Sequence, residues 1–184
     1  MNEEITYDRM KGAIGSLLFL WADIEQTVRT ELSNLYDGKI PKSAHGVAAA
    51  LNAWNAAMCK DADTRPFQAL LALSVRADLQ RPLEIRNGIC HGLSGVSCSN
   101  TSRPATITWR VGEAQTSITW DELHSVFQRL SVAPRAISIV SNAAVERDDA
   151  KAASLLPDRE WWKTEFAFDL PIVPVLQNYR SRGL

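Results

Sequence analysis

Cysteine is scarce in this chain: Cys59, Cys90 and Cys98 are the only three among 184 residues, an odd number with no metal-ligand spacing. That argues against a disulfide framework and a structural zinc site, and leaves free thiols in a reducing, cytoplasmic setting as the expectation. An excess of charge of either sign is also missing. Twenty Lys and Arg stand against 21 Asp and Glu, for a formal net charge of −1. A generic basic binder of nucleic acid or membrane surface is excluded on that balance, and contact with RNA or anionic lipid would need a local patch. No apolar run approaches the ~20 residues of a membrane span. The longest, Ile14 to Trp21, is interrupted by Gly15 and Ser16 and followed by Asp23 and Glu25. The start, Met1-Asn2-Glu3-Glu4, lacks the basic stretch and small-residue cleavage site of a secretion signal. Lys11-Gly12-Ala13-Ile14-Gly15 fits neither a phosphate loop nor a dinucleotide fingerprint, and no Gly-x-Ser-x-Gly elbow occurs.

What is present suffices for a core, with 46% of residues apolar and 22% charged. Ile14, Leu17, Leu18, Trp21, Ile24, Val28, Leu32 and Leu35 recur at three- and four-residue steps, predicting a helix from about Tyr7 to Tyr36. Asp37-Gly38 stops it. A second helix is expected from Ser43 as N-cap, with Val47, Leu51, Trp54 and Met58 inward. A third, capped by Thr64, carries Phe67, Leu70, Leu71, Ser74 and Val75, and Pro82 forces a kink or restart before a fourth helical piece, Leu83 to Leu93. Gly92 to Pro104 reads as a loop. Thr106–Trp109 and Thr116–Trp120 alternate around Gly112-Glu113 as a β-hairpin, and Thr119-Trp120-Asp121-Glu122 is a capping box for a last helix with a bend at Pro134. The expected fold class is mainly α, an up-and-down bundle of four to five helices in residues 1–156 with a small hairpin inserted at about 105–120. Residues 157–184, rich in proline and aromatics, are expected as an extended tail packed on the bundle or on a partner.

The segment that can carry chemistry is Arg86-Asn87-Gly88-Ile89-Cys90-His91. A guanidinium holds a phosphate in bidentate fashion and meets charge developing on it. An imidazole titrates near neutrality and takes or gives a proton. Asn87 can orient either partner, and the scheme needs no metal or other cofactor. Residues five apart on an undistorted helix are separated by about 140°, so either the turn is distorted or a second copy of the chain completes the cleft. The structural alternative is Arg86 in a salt bridge and His91 hydrogen-bonded near a helix end.

Arg86-Asn87-x-x-x-His91, late in a four-helix arrangement, resembles the R-[polar]-x(3–5)-H motif of HEPN (higher eukaryotes and prokaryotes nucleotide-binding) domains. Leu20-Trp21-Ala22-Asp23-Ile24-Glu25 is similar to their opening helix, and the resemblance covers roughly residues 7–145. It implies a homodimer with two motifs facing each other, and in many members a metal-independent endoribonuclease acting as toxin or defence effector, with an antitoxin as a further partner. On that resemblance Arg86 binds and polarises the phosphate of an RNA substrate, Asn87 positions it, and His91 is the general acid or base. Other family members only bind nucleotides or partners, which leaves a non-catalytic module as the alternative.

Glu25 lies within the apolar stripe of the first helix. It is either a partner that holds Arg86 or His91 or a glutamate at the rim. Arg76 and Arg81, with Arg65 and Arg86, form either a phosphate-binding patch or a solvated helix face. His45 and His124 read as surface or capping residues, and Cys90 as a buried thiol. Trp161, Trp162, Phe166 and Phe168 serve either a docking strip or packing of the tail on its own chain.

Overall fold

A computed structural model describes residues 4–100, 103–145 and 159–168. The described residues are mainly helical, with one small antiparallel sheet among them. Within the described residues, those of Met1–Asp23 and Leu79–Ser131 form one compact unit, and those of Ile24–Asp78 and Val132–Leu184 another. No described helix is long and apolar enough to cross a membrane.

Helix α1 spans Tyr7–Leu35. Met10, Ala13, Leu17, Trp21, Ile24, Val28 and Leu32 make its buried stripe, each at a three- or four-residue step from the last. Leu18, expected on that stripe, is exposed instead. Asp37 and Gly38 both adopt positive φ, and the Gly38 N–H reaches back to the Ser33 carbonyl at 2.8 Å, a Schellman closure. That is the stop the sequence signalled.

In the second unit, α2 (Val47–Cys59) starts later than expected. Ser43 lies in a turn, and the N-cap position is Gly46, whose φ of 78° suits glycine and which offers no side-chain cap. α3 (Pro66–Asp78) has proline at its first position, where the missing N–H is no loss. Thr64 does not cap it, because its hydroxyl donates to the Asp61 carbonyl. Three buried polar side chains of this unit are partnered, while the buried Trp162 indole N–H is not. Trp54 Nε1 donates to Ser141 Oγ at 2.8 Å, Gln68 Nε2 to the Val140 carbonyl at 2.7 Å, and Ser138 Oγ to Glu31 Oε1 at 2.7 Å. Residues 159–166, expected as extended tail, form a further helix, α6 (Arg159–Phe166). Trp162 and Phe166 are buried with ring centroids 4.8 Å apart, and the Arg135 guanidinium lies over the Trp161 and Phe166 rings. This aromatic group packs within its own chain. The other residues of the expected tail lie outside the described ones.

In the first unit, α4 (Gln80–Gly92) restarts after a break at Leu79. Pro82 falls in its first turn, where its lack of an N–H costs no helical bond. α4 passes straight into β1 (Leu93–Ser97), a segment whose glycine and serine content reads as loop but which pairs with β2 (Thr106–Val111). β2 and β3 (Ala114–Thr119) form the expected hairpin, so the sheet has order β1-β2-β3. Gly112, at φ 61°, takes the first central turn position that a type II′ hairpin reserves for glycine. Ile107, Trp109 and Ile118 form the buried face. α5 (Trp120–Val145) opens with the capping box: Glu122 Oε2 accepts from the Thr119 N–H at 2.8 Å and from its hydroxyl at 2.7 Å. Those two donors hold the Glu122 carboxyl below its ordinary pKa. α5 remains one helix through Pro134.

Candidate functional site

The last two turns of α4 have two unlike faces. Gly88 and Gly92, four residues apart, lie on the side packed against β2. A Cβ at Gly88 would run into the indole of Trp109, and one at Gly92 into the Arg110 carbonyl. Glycine is required at both positions because β2 approaches so closely. The opposite side carries Arg86, Cys90, Asn87 and His91, spread over about 140° of the helical circle. Arg86 and Asn87 are half-buried, while Cys90 and His91 are exposed. The sheet thus fixes the rotation of the helix, and the rotation determines what solvent meets.

Arg86 Nη1 donates to Asn87 Oδ1 at 3.0 Å, so these two neighbours share one hydrogen bond. Arg86 Nε is buried with no acceptor. No carboxylate pairs with Arg86 among the described residues, which removes the salt bridge that was its structural alternative. His91 follows Asn87 by one turn on the same side.

The remaining sequence candidates disperse. Glu25 does not hold Arg86 or His91. Its Oε1 accepts from Arg29 Nε at 3.1 Å and Nη2 at 2.9 Å, an i,i+4 pair on α1. Helix periodicity explains this, since the next basic residue on that face is one turn away. Arg76 donates to Asn52 Oδ1 at 2.9 Å, and Arg81 lies 3.7 Å from Glu84. His45 and His124 are exposed. Cys90 is exposed rather than a buried thiol, because the buried arc of α4 is taken by Ile85, Gly88 and Ile89. No group of three or more His, Cys, Asp or Glu among the described residues is placed to hold a metal ion.

Sequence reasoning missed Trp109 as the neighbour that orients the segment, although a glycine inside a helix was a visible sign of some close approach. It also missed Glu31, a buried carboxylate held by Ser138. The open groove found among the described residues lies elsewhere, between α1 and α5.

Comparison with protein-family models, with curated proteins and with solved structures finds no match to this chain.

Proposed function

We propose that the chain is a metal-independent endoribonuclease of HEPN type, built as an up-and-down bundle and acting as a cytoplasmic homodimer, in a toxin or defence system with an antitoxin as partner. The observation that carries this reading is Arg86: a half-buried guanidinium with no carboxylate partner among the described residues, on the helix whose exposed His91 lies about 140° further round, so that a second copy would have to complete the cleft. A half-buried cation with no protein counter-charge is a natural place for a phosphate to bind. In the proposed step the RNA 2′-oxygen attacks the adjacent phosphorus while the bond to the 5′-oxygen breaks, leaving a cyclic phosphate and a free 5′-hydroxyl. The 2′ proton passes to a base and a proton reaches the leaving oxygen. His91 serves in this transfer, Arg86 meets the charge on the phosphorane oxygens, and Asn87 aligns the guanidinium. The alternative, a non-catalytic module docking through its aromatic tail, is disfavoured by the burial of Trp162, Phe166 and Phe168 within the chain.

The test is incubation of the purified chain with total RNA in EDTA, beside His91→Ala and Arg86→Ala. The wild type is expected to yield cyclic-phosphate ends, and each variant to lose on the order of 10²-fold or more in rate. Equal behaviour of all three overturns the reading.

A further inference from the structure

The end of α4 is tied to the middle strand of the sheet. β1 pairs Leu93 with Trp109 in the antiparallel ladder, so the residue before it, Gly92, comes opposite Arg110. A Cβ on Gly92 would strike the Arg110 carbonyl, which shows how closely the two backbones lie. His91 is the residue before Gly92. Main-chain packing therefore carries Arg110 of β2 to the end of α4 that bears the imidazole.

Trp109 turns inward under Gly88, and the two-residue period of a strand sends Arg110 to the open face of the sheet. Arg110 is exposed, and its side chain has neither a hydrogen bond nor a carboxylate partner among the described residues. Its cross-strand partner is Gln115, and the next pair on that face is Thr108 with Ser117. None of the three is charged, so no carboxylate of that face competes for the guanidinium.

A free surface arginine is ordinary in itself, and what sets this one apart is its position. Arg86 stands about 140° from His91 around α4. Within one chain, a guanidinium at the imidazole's end of the helix has to come from another element, and β2 supplies it. An RNA strand presents a further phosphate beside any linkage that is cut. We propose that Arg110 binds the phosphate next to the linkage at His91 and so sets the register of the strand on the site. This contact rests on the RNA-cleavage reading and adds a residue outside its motif. Phosphate contacts position a strand without reading its bases, so every sequence is held alike.

Fluorescence anisotropy of a labelled single-stranded RNA tests it, titrated with the full chain carrying His91→Ala over a range of KCl. Adding Arg110→Gln is expected to weaken binding on the order of tenfold. The slope of log Kd against log salt is expected to fall by about 0.7, the loss of one phosphate contact on a single strand. Arg110→Lys is expected to keep the slope, because lysine still neutralises a phosphate. Arg103→Gln removes an exposed arginine at the end of β2 remote from Gly92, and is expected to change neither quantity. Arg110→Gln binding like its parent overturns the proposal. So does an equal loss with Arg103→Gln, or a parent that binds no RNA. Cleavage by wild type with normal binding by Arg110→Gln sinks this contact alone. RNA held through Arg110 yet never cut by wild type sinks the cleavage reading alone.

Discussion

The interior of the second unit and the exposed turns of α4 treat polar groups in opposite ways. Around α2, α3 and the end of α5, the Trp54 indole, the Gln68 amide and the Glu31 carboxylate each reach a partner at 2.7–2.8 Å. On α4, Arg86 shares one bond with its neighbour and leaves Nε buried without an acceptor. Two buried indole nitrogens, of Trp21 and Trp162, are also unpartnered, but they are neutral and far cheaper to leave so than a cation. In the second unit, the Trp54, Gln68 and Glu31 side chains that serve the fold are satisfied. The Arg86 guanidinium, by contrast, has no carboxylate partner among the described residues.

That contrast can be tested by stability measurements. The largest effect is expected from Gln68→Ala, which strips the Val140 carbonyl of its donor and leaves a void, at a cost of about 2–3 kcal/mol in urea unfolding. A smaller loss, about 1 kcal/mol near neutral pH, is expected for Glu122→Ala, which removes the carboxylate half of the capping box. Because the folded carboxyl has a lowered pKa, its contribution is complete above the ordinary glutamate range and disappears as pH falls through the lowered value. The difference between wild type and Glu122→Ala should therefore shrink in acid, and a difference independent of pH would refute the assignment. The smallest effect belongs to Arg86→Met, which keeps the stem and deletes the uncompensated charge. Stability is expected to stay within about 1 kcal/mol of wild type, on the stabilising side. A loss as large as that of Gln68→Ala would make Arg86 structural and remove the contrast.

Local signals proved readable. The α1 stripe, the Asp37-Gly38 stop, the restart around Pro82, the hairpin and the Thr119–Glu122 box all rest on neighbours a few residues apart. What escaped reading depends on distant partners. Leu93–Ser97 has loop composition and becomes a strand because β2 offers it an edge to pair with. Residues 159–166 fold as a helix whose aromatic face meets Arg135. At the candidate site, residue types and spacing were legible in Arg86, Asn87 and His91. Their orientation was not, since Trp109, 21 positions beyond Gly88, determines it. Glu25 misled because a carboxylate among apolar residues looks functional until the arginine one turn along is seen to take it.

The direct passage from Gly92 into Leu93 also has a mechanical consequence. Enzymes often hang a reactive side chain on a hinged loop that closes over its target. Here the imidazole is carried on a turn with a strand welded to its end and an indole wedged behind it, so there is no lever to swing. On the RNA-cleavage reading proposed above, the linkage must therefore adapt to His91 rather than the backbone of α4 to it.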